Sequence, residues 1–220
     1  MSAAVTNAVE WAVEAFRAGE PIIVYDDDGR EDEADMMYPA AAVDPEDVAT
    51  LRLDAGGLVC VALADEIAER FDLPFYHDAI DHPATEHGDM GYDSRPSFSM
   101  SVNHRFTFTG ITDQDRARTI RALAEVSENP HLVNFPREFR SPGHVFLLRA
   151  ATDLLAQRQG HTELAIALAE EAGIQPAVAL CEMLDEHSGD SRSKTDAAKY
   201  ANRHGMPMLA GDEIISALGG

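Results

Sequence analysis

The apolar run Ile22-Ile23-Val24 passes directly into Tyr25-Asp26-Asp27-Asp28-Gly29-Arg30-Glu31-Asp32-Glu33-Ala34-Asp35, a crowd of acids around one arginine that nothing about folding requires. A short β-branched run reads as a buried strand. The acids that follow then belong to its exit loop, beyond the carboxyl end of a sheet, where open α/β sheets bind their ligands. Carboxylates crowded together raise one another's pKa unless a hard cation or an arginine neutralises them. The run therefore predicts Mg²⁺ or Mn²⁺ near Arg30, against the plainer expectation of a solvated acidic loop.

Helices and strands alternate around this junction. Val5, Ala8, Val9, Ala12, Val13 and Phe16 recur at helical spacing, and Gly19 stands where a helix-ending glycine belongs. Asp44-Pro45-Glu46-Asp47 supplies an N-cap, a proline at the first helical position and first-turn acids for a helix that Gly56-Gly57 ends. Leu58 to Leu63 reads as a strand, and His77 to Pro96, rich in Asp, His, Gly and Pro, as a long loop. Ser97 to Val102 alternates like a strand, and Thr112-Asp113-Gln114-Asp115 resembles a capping box opening a helix through Val126. Val145 to Leu148 and Ala177 to Leu184 read as strands, Thr162 to Ala172 as a helix stopped by Gly173, and Ala197 to Arg203 as a last helix. The expected class is α/β (α+β), with a mixed sheet flanked by helices in one domain spanning 1–220.

Composition narrows the function classes. With 45% apolar residues in 220, the chain can bury one full core. Acids outnumber bases 39 to 17, and the net charge of −22 opposes nonspecific binding to nucleic acid or an anionic membrane. An anionic substrate is still accessible where local cations receive it. Such an excess is also expected of a salt-adapted protein, because ~1 M salt screens self-repulsion within a few ångströms. Thermal melts test this: the midpoint is expected to rise from dilute buffer to molar KCl, and an unchanged midpoint removes that reading. Cys60 and Cys181 lie inside apolar runs, as in a reducing compartment, and no stretch approaches ~18 consecutive apolar residues. A soluble cytoplasmic protein is expected.

Three further groups point to chemistry. Arg158-Gln159-Gly160-His161-Thr162-Glu163 leads into a helix whose free amides and dipole favour an anion, which reads as a phosphate cradle with a histidine at its mouth. The alternative is an ordinary cap with a first-turn acid. Ser141-Pro142-Gly143-His144 holds a histidine at a strand edge, suited to proton transfer or simply to a turn. Glu182 interrupts the apolar run from Ala177 to Cys181, where an unpaired carboxylate would be costly, so it is paired, metal-linked or protonated. Cys60 and Cys181 have no basic neighbour in sequence that would make either thiol a nucleophile.

Taken together, these motifs resemble 3,4-dihydroxy-2-butanone 4-phosphate synthase of riboflavin biosynthesis, especially its archaeal form. The resemblance runs through Asp26 to Asp35, Gly57-Leu58-Val59-Cys60, Thr109-Gly110-Ile111-Thr112 with Asp115-Arg116, Pro142 to Phe146, Arg158 to Glu163, Pro176-Ala177 and Cys181-Glu182. It implies that Glu31 and His161 bind divalent metal, Mg²⁺ or Mn²⁺. It implies that Arg30, Glu31, Asp35, Arg158, Gln159, Gly160, His161, Thr162 and Glu182 hold ribulose 5-phosphate. His144, Glu182 and Glu33 are the implied catalytic groups, with Asp26, Cys60, Thr109 and Thr112 lining the pocket. It further implies a carbon–carbon lyase that releases formate, working as a homodimer with shared sites. The chain departs from many relatives at Gly29, Asp32, Ala34 and Asp153-Leu154.

Two other readings compete. Ile22 to Gly29 looks like the first motif of haloacid dehalogenase-type phosphatases, with Gly189-Asp190 and Asp196 as a loose late metal motif. A non-enzymatic acidic cation-binding module is the other, although Gly29 comes too early for an EF-hand loop.

Overall fold

The computed structural model describes residues 3–26, 30–86, 91 and 95–219, with only the backbone for 3–7. Asp27, Asp28, Gly29 and His87 lie outside the described residues. Seven strands are seen among them: β1 (Ile22–Tyr25), β2 (Ala34–Pro39), β3 (Cys60–Leu63), β4 (Phe98–His104), β5 (Phe139–Arg149), β6 (Ala177–Glu182) and β7 (Met208–Ala210). They form one mixed sheet in the order β4-β5-β3-β6-β2-β1-β7, in which β1 runs parallel to β7 and β3 parallel to β5. The remaining neighbours are antiparallel.

The acidic run joins the antiparallel pair β1 and β2, with Tyr25 opposite Ala34. The chain thus turns straight back into the sheet after its acids. β2, which sequence pattern did not reveal, is buried along its whole length, Asp35 included. Its far side pairs with β6, and that register sets Asp35 beside Glu182.

Helices cover the sheet. The first, Ala3–Ala18, buries Val9, Ala12, Val13 and Phe16 and packs on helices His161–Ala172 and Gly211–Leu218. Each large apolar side chain so buried contributes ~1.5–3 kcal/mol. Asp44 caps helix Pro45–Thr50 in a reciprocal box with Asp47. The stretch expected to continue as the same helix widens instead into a π-helical segment, Leu51–Ala55, before Gly56 leaves it at φ +94°. At the start of helix Asp113–Glu128, Thr112 accepts the Asp115 amide, but Asp115 turns to the amides of Gly110 and Phe108. Only half of the expected box forms; the other half secures the preceding loop.

Several boundaries also move. The strand expected from Leu58 begins at Cys60, and the one expected to reach Leu184 ends at Glu182. Short helical turns, Tyr76–Ala79 and Pro83–Thr85, occupy part of the expected 77–96 loop. The helix expected to be last is followed by β7 and by helix Gly211–Leu218, whose Glu213 accepts the Ala210 amide and whose Ile214 is buried. Among the described residues no helix is long and apolar enough to cross a membrane.

Candidate functional site

The acidic turn is organised from below by Asp26, which is fully buried. One of its oxygens accepts Arg30 Nη1 at 3.0 Å and the Glu31 amide at 3.1 Å, and the other accepts the Glu33 amide at 3.1 Å. A carboxylate so engaged fixes the loop backbone, so Asp26, expected to line the pocket, supports it instead. Asp32 takes a left-handed conformation at φ +63°, an acid-tolerated geometry, and its carboxylate accepts the Tyr25 hydroxyl.

Above this turn lies a cavity of about 310 Å³. Glu31, Glu33, Asp35, Cys60, Arg158, His161, Thr162 and Glu182 face it, together with Pro96, Ser97, Phe98, Leu148 and Leu180. Eight of the residues singled out from sequence thus converge from β2, β3, β6 and the two loops. Glu182 is held at its rim, where Oε2 accepts the Leu58 amide at 2.7 Å and its carbonyl accepts the Gly57 amide at 3.0 Å. A Cβ on Gly57 would fall 2.7 Å from that carbonyl oxygen and 2.8 Å from the Glu182 Cβ, so glycine permits the approach.

The electrostatics centre on His161. Its Nδ1 lies 3.4 Å from Glu31 Oε2 and 3.8 Å from Asp35 Oδ2. Burial alone would depress its pKa, but the charge of Asp35, the Glu31 hydrogen bond and the charge of Asp26 outweigh it and raise the imidazole to about 9. Burial raises Asp35 to about 7; His161 opposes this, while Glu182, Glu31 and Glu33 add to it. For Glu31, burial pushes upward, but His161, Arg30 and Arg158 prevail and leave it below the usual carboxylate value. Burial, with the charges of Glu182 and Asp35, drives the Cys60 thiol well up and Cys181 to about 12, so neither is a ready thiolate.

Two buried atoms here, Asp35 Oδ1 and His161 Nε2, have no hydrogen-bond partner among the described residues. Such orphans are costly unless a ligand meets them. Asp26, Glu31 and His161 each bring one donor atom within 4.8 Å of the others, an oxygen and nitrogen set that suits a divalent cation. Since both Asp26 oxygens are already engaged by the loop, Glu31 and His161 are the better ligands.

Beside this group, two guanidinium groups gather at a helix start, a geometry that favours an anion. Helix His161–Ala172 opens at Gly160 with no side-chain cap, so its first amides are free to meet a ligand. A Cβ on Gly160 would collide with Arg158 Nη1 and fall 2.6 Å from Arg30 Nη2, so two guanidinium groups close over this glycine. Glu163 does more than serve as a first-turn acid. Wholly buried, it accepts Arg158 Nη1 at 2.6 Å and the Ala151 amide at 2.9 Å, which fixes one side of the cradle. Gly160→Ala is expected to spare the fold, because flexible arginine tips can move aside. It should raise the KM for a phosphorylated substrate by roughly ten- to a hundred-fold, as misplaced binding groups do; unchanged steady-state KM would contradict the cradle.

Other expected residues lie elsewhere. Gln159 is exposed and donates to the Leu155 carbonyl at 3.4 Å. His144, Thr109 and Thr112 are exposed and do not line the cavity. His144 is nevertheless held firmly: its amide donates to Asn103 Oδ1 at 2.8 Å, and its Nδ1 is 3.1 Å from Asn103 Nδ2. Asp196 is exposed at a helix start, where its amide donates to Ser193 Oγ and its carboxylate accepts Lys199 Nζ at 2.7 Å. Sequence reasoning missed Asn103, Glu163 as an anchor, and Ser191, which donates to Glu33 Oε1 at 2.6 Å. An acid in the first turn of a helix and a polar residue within a strand were the available signals for Glu163 and Asn103; Ser191 had none.

The family model for 3,4-dihydroxy-2-butanone 4-phosphate synthase matches residues 10–217. The chain is 49% identical over 218 residues to such a synthase from Archaeoglobus fulgidus, covering 94% of this chain and 92% of the relative. It also resembles a crystal structure of a two-domain synthase from A. baumannii, with TM-score 0.81 and 31% identity, covering 94% of this chain and 56% of that one. A crystal structure of a synthase in complex with two magnesium ions matches at TM-score 0.78 and 31% identity, covering 94% of each chain.

Proposed function

The chain belongs to the 3,4-dihydroxy-2-butanone 4-phosphate synthase family, and from that premise we propose that it is the lyase converting D-ribulose 5-phosphate into L-3,4-dihydroxy-2-butanone 4-phosphate and formate in riboflavin biosynthesis. One observation carries the reading: Arg30 and Arg158 close over the helix start at Gly160, and Arg158 faces the same cavity as Glu31 and His161 of the carboxylate–imidazole donor group. A phosphorylated sugar that must be enolised needs both features at once. Residues 1–220 are read as one catalytic domain.

Arg30, Arg158 and the amides at the start of helix His161–Ala172 receive the phosphate. Glu31 and His161 would hold Mg²⁺ or Mn²⁺, which when bound would supply Lewis-acid stabilisation of negative charge developing on the sugar. Glu33, on the rim of the same cavity, takes the C3 proton. Glu182, steadied by the Leu58 amide, and His144 serve the C1 hydroxyl as it departs. Cys60 contributes a neutral, close-fitting wall.

A second copy of the chain completes the site. His144 and its neighbours Thr109 and Thr112 stand exposed, beside Phe106, Phe108 and Ile111 at 79%, 93% and 51% exposure. Apolar side chains grouped in this way mark a surface that another protein covers. The enzyme is thus a homodimer in which His144 serves its partner's cavity.

The decisive assay incubates purified protein with Mg²⁺ and ribulose 5-phosphate and measures formate and inorganic phosphate together. Formate is expected in step with substrate loss. Inorganic phosphate without formate would favour the phosphatase reading, and neither product would reduce the protein to a cation-binding module.

A further inference from the structure

We infer that Ser191 is a positioning residue for Glu33, an assignment that rests on the lyase reading of the cavity. The hydroxyl of Ser191 donates to Glu33 Oε1 at 2.6 Å. Among the described residues no other side chain holds the Glu33 carboxylate by a hydrogen bond or ion pair: Arg30 pairs with Asp26 and Glu31, and Arg158 pairs with Glu163.

The serine comes from a turn that follows β6 and is secured on both sides. Asp185 Oδ1 accepts the amides of His187 and Ser188 at 3.0 and 2.7 Å, and the Asp185 amide donates to the Asp190 carbonyl at 2.8 Å. Ser191 itself bridges Leu184. The next residue, Arg192, donates its amide to the Met183 carbonyl at 2.7 Å and its guanidinium to the carbonyls of Asp54 and Leu184. The hydroxyl is therefore delivered by a fixed backbone.

Glu33 has the complementary need. Its amide is tied to Asp26 Oδ1, yet its side chain retains three rotatable bonds over an open cavity. A proton acceptor must lie within about 2.6–3.2 Å of the proton it removes. Engaging Oε1 confines those rotations and leaves Oε2 as the oxygen offered to substrate. The strand that supplies Glu182 thus continues into the turn that aims Glu33, which couples the placement of the two acids.

The test compares steady-state formate release by the wild type and by Ser191→Ala, Ser191→Thr and Ser191→Val. The Thr and Val variants match in size and differ in the hydroxyl. Active wild type is the control for the lyase reading; wild type that releases no formate overturns that reading itself. Given an active wild type, Ser191→Ala and Ser191→Val are expected to lose roughly ten-fold in kcat, as when one hydrogen bond to a charged group is removed. Their KM for ribulose 5-phosphate and their Mn²⁺ affinity should stay within about two-fold of wild type, and Ser191→Thr should recover most of the rate. Wild-type kcat in Ser191→Ala, equal rates for the Thr and Val variants, or a loss confined to KM would each overturn the role of Ser191. Thermal midpoints and the retained Mn²⁺ affinity report that the variants are folded.

Discussion

Mixing His144→Ala protein with Glu182→Gln protein, each nearly inactive alone, is expected to restore formate release to about a quarter of the wild-type rate, since random exchange makes half the dimers hybrid and each hybrid keeps one intact site of two. The basis is that Glu182 lines the cavity and His144 does not. Glu182 stands at the cavity rim next to Asp35, whereas His144 is exposed on β5 and absent from the cavity wall. Yet its surroundings are built to hold it. Asn103 binds both its amide and its ring, and Gly110 and Gly143 press so close to Asn103 and Val102 that neither has room for a Cβ. Structure of this kind around an exposed imidazole is useful only if something arrives to meet it. Either single variant should lose about 10²–10⁴-fold, the usual contribution of a general acid or base. Failure of the mixture to recover activity after verified subunit exchange would place His144 in its own chain's site or outside catalysis altogether.

The sequence made much of this arrangement legible because several of its signals were overdetermined. Ile22-Ile23-Val24 could only be buried, Asp44-Pro45 could only open a helix, and Glu182 inside an apolar strand demanded a reason. The run Arg158 to Thr162 combined a cation, a glycine and a helix start, and Arg158 does lie against Gly160 at the opening of helix His161–Ala172. β2 escaped because it is covered on both faces, so Ala34 to Pro39 shows no alternation, and its Asp35 and Pro39 are residues that strands usually avoid. The last helix escaped because it is short and begins with a glycine. Asp26 could be recognised as important, but nothing in a linear acidic run distinguishes the carboxylate that supports a loop from those that face a ligand. That difference depends on the tight return into β2, which turns two amides and an arginine inward onto Asp26. The exclusion of His144 from the cavity that Glu182 lines was likewise beyond reach, since periodicity assigns a residue to a strand face and says nothing about which cavity that face meets.

His161→Ala and Glu31→Gln are each expected to abolish the thermal stabilisation that Mn²⁺ gives the wild type and to reduce formate release by more than about 10³-fold at ordinary metal concentrations. The first effect follows from linkage: a ligand at a hundred times its dissociation constant stabilises the native state by ~2.7 kcal/mol, and a variant that does not bind it gains nothing. The second follows from charge. Removing a proton next to the sugar carbonyl leaves negative charge on neighbouring oxygens, in a cavity already faced by Glu31, Glu33, Asp35 and Glu182. Without a cation these carboxylates would oppose the reaction they surround. The two variants should differ in their metal-free stability. Loss of His161 leaves Glu31 and Asp35 without the imidazole that lies between them, and breaking a buried pair in this way costs ~3–5 kcal/mol. Glu31→Gln removes a charge from the same crowd and should cost less. Chelation of the wild type must reproduce the catalytic loss without the destabilisation caused by His161→Ala, and added Mn²⁺ must reverse it. Full turnover by protein verified to be metal-free, or an undiminished Mn²⁺-induced rise in melting temperature in both variants, would remove Glu31 and His161 from the metal site.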